Sequence, residues 1–439
     1  MWSEQRDPRP PEQARRETSL ARNTVAQMSP TLLGYVLSFL AAPVVLSGLG
    51  LRMFGVWALT AALAQYGGLL DLGSGRSLSR FVAAHQNDRR ACGEYIALGG
   101  ITAAVVSLVL LLATVVGAPL LAHILHGISA SQMRLVLACS VGLLACTMAT
   151  LVVMAYPVGL RRMVAPNVGI AAGVVLNFVA SVGAIALGWK LPGYALANLG
   201  AGVVTVLVVT VLVVRAEGSI PLSRPTLARA RELLPFGGKL QLAWAMELIN
   251  YQSDKIVIAF AVGPAAAGSY ELANRVAAAA RQVGIFPSTA LLPTLTARSA
   301  KSGLGYLRAA YGRLTEVIAS ASFPFLVIVA ALTPMLFSAW LGRIPEHAEV
   351  ILPALAIPYL VSMSSDVGRV VAFAAGDPSV VARTAVYTAV ANLILTATLA
   401  PVFGLWGVLG GTVVALTGGA LIQLRLVQHQ FGLSGASYI

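Results

Sequence analysis

The chain has 439 residues, of which 57% are hydrophobic and only 11% charged, with a mean hydropathy of +0.80. A soluble globular domain carries about 25% charged residues, so the composition excludes two or three soluble domains and marks an integral membrane protein. The net charge of +13, from 30 Lys and Arg against 17 Asp and Glu, would fit a nucleic-acid binder only if it were spread over a soluble surface, so its placement decides.

Residues 1–22 are charged and proline-rich, the composition of a disordered cytosolic tail. The apolar run after them is longer, and begins later, than the core of a signal peptide, so it reads as a first span. A helix crosses the hydrocarbon core with roughly 20 apolar residues. Runs of that kind place about 12 spans near 23–49, 54–83, 94–120, 132–158, 166–188, 192–214, 233–262, 266–296, 309–336, 349–375, 380–401 and 405–428. Prolines 30, 43, 287, 324, 353 and 358 fall inside them and mark kinks, which membranes tolerate where neighbours or a cavity satisfy the freed carbonyls.

Basic residues test this map, because short cytosolic loops collect Lys and Arg. With the amino terminus inside, and residues toward a span's end counted with the segment they adjoin, 22 lie in cytosolic segments, 4 outside (Arg52, Arg134, Lys190, Arg343) and 4 within spans. The bias places both termini in the cytosol and requires an even span count, since one missed helix would invert every later loop. Counting acids as well gives +12, +2 and −1 for the three compartments, so the basic balance records topology and carries no indication of nucleic acid.

Cys92, Cys139 and Cys146 have no metal or disulfide spacing and read as small buried hydrophobes. His123 and His126 lack the further ligands a metal site needs. No metal, cofactor or catalytic centre is expected.

An internal repeat emerges between outer turns. Gly50-Leu-Arg-Met-Phe-Gly55-Val-Trp57 and Gly263-Pro-Ala-Ala-Ala-Gly268-Ser-Tyr270 share Gly-x4-Gly-x-aromatic at an offset of 213, and Asn177 and Asn392 share one of 215. The chain therefore reads as an N-terminal six-helix bundle over 23–214, a basic cytosolic linker over 215–232, a C-terminal six-helix bundle over 233–428 and a tail over 429–439. An even number of spans per half relates the halves by an axis along the membrane normal, as in carriers that rock two bundles about a central cavity.

Residues 48–83, with a Gly-Trp turn, Asp71-Leu72-Gly73 and downstream arginines, resemble the amino-terminal signature of bacterial polysaccharide flippases. Residues 250–297 resemble the mid-chain signature, where Asp254-Lys255 precedes a Gly-x-Tyr turn, Asn274-Arg275 and a late proline, and Gly404-Leu-Trp-Gly407 is a third, weaker match. These are Wzx-type flippases of the multidrug/oligosaccharidyl-lipid/polysaccharide exporter superfamily. The resemblance implies an all-α polytopic, MATE-like fold of two six-helix bundles related by pseudo-two-fold symmetry. It implies a transporter in the bacterial inner membrane that moves a polyprenyl-pyrophosphate-linked oligosaccharide outward by alternating access, coupled to a proton or sodium gradient. Its partners would be that substrate, membrane lipid and the coupling ion, with a glycan polymerase and a chain-length regulator as protein partners.

Nine ionisable residues fall within spans: Asp71, Glu247, Asp254, Lys255, Glu271, Arg275, Arg281, Asp366 and Arg369. Each costs about 2.5–3.5 kcal/mol at a helix centre, so each is expected to face protein or water. Glu247, Asn250, Tyr251 and Asp254 make one stripe, Glu271, Asn274, Arg275, Arg281 and Gln282 a second, and Ser362, Ser365, Asp366 and Arg369 a third. Taking Pro264 as the hairpin tip, residues equidistant from it predict two acid–base tiers, Asp254 with Arg275 and Glu247 with Arg281. One reading is that the pairs only fasten the bundle. The other assigns Arg275, Arg281, Lys255, Arg369, Arg76 and Arg80 to the pyrophosphate, because guanidinium donates paired hydrogen bonds and stays charged when desolvated. Asp254, Glu247, Glu271, Asp71 and Asp366 would then exchange the coupling ion. Asp71 either meets an arginine or caps a break near Gly73 and Gly75, and Asn177, Asn198 and Asn392 are expected to bond between helices.

Competing readings are a cation-coupled small-molecule or drug antiporter of the same superfamily, which the arginines disfavour, and a membrane glycan polymerase, which the short outer turns disfavour. Lipid II flippases of the superfamily carry two further spans, for which this chain has no room.

Overall fold

The structure, a computed structural model, describes residues 11–433 except 72, 73, 376 and 378. Among these residues the regular structure is helical throughout. Helix α1 (Pro11–Gly67) begins inside the segment whose composition marks a tail and breaks at Gly50, where φ 73° and ψ 162° take the chain out of the helix. A 3-10 turn over Gly68–Asp71 leads to α2 (Ser74–Ala84). Then come α3 (Arg89–Leu125), α4 (Ala130–Gly159), α5 (Val164–Ala186) and α6 (Lys190–Glu217). After the linker follow α7 (Leu227–Ala261) and α8 (Pro264–Val317). At about 1.5 Å per residue α8 is some 80 Å of helix, far more than one bilayer crossing needs. A π-helical turn over Ile318–Ser322 joins it to α9 (Phe323–Ala331), which meets α10 (Thr333–Leu341) at a 68° bend. Both short helices carry proline at their second residue, where a missing N–H leaves no bond unmade. The chain closes with α11 (Ala348–Ala375) and α12 (Ser379–Phe431), the latter broken at Gly404 (φ 56°, ψ −133°).

Seven of the described helices are long and apolar enough to cross a membrane, or eight if the bent α9–α10 pair is one span. The breaks at Gly50 and Gly404 divide α1 and α12 into two passes each. Helices α7 and α8 fall outside that set because they carry the charges.

The chain forms two compact units. The first comprises Met1–Val44, Gly67–Val115 and Ala138–Leu240, and the second Val45–Tyr66, Val116–Leu137 and Gln241–Ile439. In the first, α5 packs along α6, where Asn177 Nδ2 donates to Asn198 Oδ1 at 2.9 Å, the interhelical bond expected of these asparagines. Its linker is tied down: Arg89 donates to Ser219 Oγ at 2.8 Å, Arg162 pairs with Glu217 at 2.5 Å, and Arg229 bonds Glu94 at 3.3 Å. The Tyr95 hydroxyl donates to Glu232. The turns counted as cytosolic thus meet one another. In the second unit α11 packs against both α8 and α12, and those contacts assemble the charged stripes. There the turns counted as outer also come together, with Arg52 donating to the Leu125 carbonyl at 3.2 Å and to that of His126.

Candidate functional site

Helices α7, α8, α11 and α12 of the second unit bury Asp254, Lys255, Glu271, Arg281 and Asp366 in three linked groups. In the first, Lys255 Nζ lies 2.8 Å from Glu271 Oε2, and Arg275 Nε lies 2.8 Å from Glu271 Oε1. One carboxylate therefore serves two cations, and the Arg275 guanidinium sits 5.3 Å from the centre of the Phe54 ring. In the second, Asp366 accepts from Arg281 and, at 2.8 Å, from Arg369 one turn further along α11. Arg281 Nε also donates to Ser362 Oγ at 3.0 Å and faces the rings of Tyr251 and Tyr359, 5.7 and 5.9 Å away. In the third, Asp254 accepts from the Tyr270 hydroxyl and, at 3.4 Å, from Asn392 Nδ2, with the Thr412 hydroxyl beside the same carboxylate. Asn392 Oδ1 is buried and receives no hydrogen bond.

The pairing differs from the two expected tiers. Asp254 meets Tyr270 and Asn392 instead of Arg275, and Arg281 meets Asp366 instead of Glu247, which is exposed. Two causes are visible. The partners across the hairpin, 254 with 270 and 255 with 271, are centred near Gly263 rather than Pro264. Equal depth also says nothing about direction around the axis: Glu271 and Arg275 lie four apart on one face of α8 and bond each other, while Arg281, a turn and a half further on, points at α11.

The remaining expected site residues lie elsewhere. Asp71 is buried at the start of α2, where Oδ2 accepts the Gly75 N–H at 3.1 Å, the capping role left open by its spacing. Arg80 projects from α2 over the Phe236 ring, 4.0 Å from its centre. The side chain of Arg76 lies outside the described residues. Residues missed in the sequence include Tyr359, which donates to Asn274 Oδ1 at 2.7 Å, together with Tyr270 and Thr412. Tyr359, Ser362, Asp366 and Arg369 follow helical spacing on α11, so extending the third stripe one turn back would have included Tyr359.

Two arginines on one buried carboxylate, and a lysine and an arginine on another, leave each group with a surplus positive charge inside a helical membrane fold. Each surplus charge is one that an anionic group could meet with paired hydrogen bonds. Comparison with known proteins places the fold. An inward-facing multidrug resistance MATE family transporter of the MOP superfamily is 18% identical, with a TM-score of 0.71 over 93% of this chain and 98% of its own. The lipid II flippase MurJ, in an inward closed conformation, is 13% identical with a TM-score of 0.73 over 93% and 87%. An outward-facing MATE family transporter is 16% identical with a TM-score of 0.59 over 94% and 95%. The fold is accordingly all-α and MATE-like. No curated protein matches the chain in sequence. The family model described as polysaccharide biosynthesis protein matches residues 20–298, and the chain belongs to that family.

Proposed function

We propose that this protein flips a polyprenyl-pyrophosphate-linked oligosaccharide across the bacterial inner membrane by alternating access, for the assembly of a surface polysaccharide. The family membership supplies the glycan, and the likeness in fold to MurJ, whose cargo is lipid II, supplies a precedent for a lipid-linked one. The observation that carries the proposal is the sharing of Asp366 by Arg281 and Arg369. A pyrophosphate can replace the carboxylate on either guanidinium with paired, charge-assisted hydrogen bonds. Lys255 and Arg275 offer the same exchange around Glu271. The aromatic rings of Tyr251 and Tyr359 keep the Arg281 guanidinium in place while its anion changes.

Ion coupling is assigned to Asp254. Its carboxylate, the unpaired Asn392 Oδ1 and the Thr412 hydroxyl gather oxygen acceptors in a buried volume, an arrangement suited to a proton or sodium ion. Glu247, exposed on the same helix, is a second acid for proton exchange. Glycan export in a deletion strain complemented with Arg281→Ala, Arg369→Ala and the double variant tests the substrate role. Each single variant is expected to lower export about tenfold, and the double variant to abolish it. Wild-type export from the double variant contradicts the assignment. A cation-coupled drug antiporter, the second reading, would keep drug efflux without these arginines.

A further inference from the structure

Away from the charged groups, a cavity of about 420 Å³ opens where the turn after α7, the residues before α11 and the Gly404 break of α12 meet the Gly50 break of α1. Its volume lies in the range of small-ligand sites, about 300–1,000 Å³. Trp406 forms one wall with an indole that is 48% exposed. His347 stands edge-on to that ring at 5.3 Å between centres, and its Nε2 is 3.6 Å from the Glu346 carboxylate. His347 is held at φ 60°, a conformation rare outside glycine, by a backbone whose carbonyl accepts the N–H groups of Val350 and Ile351. Arg52 also lines the cavity, its guanidinium fixed by the Leu125 and His126 carbonyls.

A half-exposed indole flanked by one carboxylate and one guanidinium suits a neutral, polyhydroxylated ring. A pyranose presents an apolar C–H face to stack on the indole, and hydroxyls that both donate to a carboxylate and accept from a guanidinium. A free phosphate would meet Glu346, and a cationic drug would meet Arg52, so each is opposed by one of the two charges.

The cavity also depends on a conformational contact. The two copies of the Gly-x4-Gly-x-aromatic turn touch each other: a Cβ on Gly55 would overlap the Pro264 carbonyl, and one on Gly268 would come within 2.6 Å of the Leu51 carbonyl. Arg52 and Pro264, which line the cavity, belong to these two turns. Parting the turns therefore takes the cavity apart.

We propose that this cavity binds a sugar ring of the delivered glycan on the outer face, with Trp406 stacking on it and Glu346 and Arg52 bonding its hydroxyls, and that occupancy holds the Gly55–Pro264 contact closed. The proposal rests on the flippase reading above for the identity of the sugar and for the sidedness of the turns. Because the site is complete only while the turns touch, a bound sugar favours that state by mass action and opposes return of the product.

The test is saturation-transfer NMR on the full-length protein in lipid nanodiscs. The probe is lipid-free oligosaccharide released by mild acid from the surface polysaccharide of the host. Saturable binding is expected, weakened about tenfold or more by Trp406→Ala and by Glu346→Gln, and within about threefold of wild type for Trp406→Phe, which keeps an aromatic face. Gly55→Leu, outside the cavity lining, is expected to weaken it as well, whereas Arg281→Ala is expected to leave it unchanged. Absence of saturable binding, or equal binding by wild type and Trp406→Ala, overturns the proposal. Export by the same variants separates the two readings. If export needs Arg281 but no free oligosaccharide binds, only the cavity proposal falls. If binding needs Trp406 but export ignores Arg281 and Arg369, only the pyrophosphate assignment falls.

Discussion

Asp366 holds two guanidinium groups, and removing it leaves the buried Arg281 and the partly exposed Arg369 without their counter-charge. Breaking a buried pair from one side costs about 3–5 kcal/mol, while replacing both partners with apolar residues of similar volume is often neutral. Asp366→Ala is therefore expected to lower the thermal stability of the purified protein sharply. The double change Arg281→Met with Asp366→Leu is expected to recover much of that stability and still transport nothing. A double variant that transports at the wild-type rate would reduce the pair to a fastener. The nine intramembrane charges were legible in the sequence because each is costly in lipid and is expected to face protein or water. Which partner was not legible, since depth follows from distance along the hairpin but direction follows from packing. Glu271 bonds Arg275 on its own helix as well as Lys255 across the hairpin, and Arg281 turns to α11, which lies outside the hairpin.

Among the elements, hydropathy marks seven of the described helices as able to cross a membrane, yet two of these long helices hide a break. Gly50 and Gly404 each take a positive φ, and a side chain there would strain the turn between two passes. The neighbouring Gly55 and Gly268 serve close approach, so Gly268→Leu is expected to disturb the contact between the two turns as Gly55→Leu does. A lower melting temperature of the purified Gly268→Leu protein would report it, and an unchanged one would contradict it. The start of α3 is capped by Asp88, whose carboxylate accepts the Ala91 and Arg90 N–H groups, both at 3.0 Å. The Ala91 bond above all, then that of Arg90 and the nearby Arg229 charge, hold its pKa below the ordinary 3.8. The cap contributes fully above 3.8 and is lost as pH falls through the lower folded-state value. Melting temperatures measured between pH 3 and 7 are expected to show less acid sensitivity in Asp88→Asn than in wild type. Composition gave no hint of this cap, whereas the Asp71 cap on α2 was one of two options its spacing allowed.

For the molecule as a whole, the net charge of +13 is carried outside the nine intramembrane residues, whose own charges nearly cancel, and the proposed function rests on those few. The repeated turns announced an internal symmetry in the sequence, but their mutual contact required the folded chain. The substrate is the point on which the account stands, and leaflet exchange in proteoliposomes tests it most directly. Purified protein would be reconstituted with a polyprenyl-pyrophosphate-linked oligosaccharide, and its appearance in the opposite leaflet followed with an impermeant sugar oxidant. Wild-type protein is expected to expose the inner-leaflet pool, faster under an imposed proton or sodium gradient, and the Arg281→Ala, Arg369→Ala double variant to expose it at least about tenfold more slowly. Equal rates for the double variant, or no exchange by wild type under any gradient, would contradict the account.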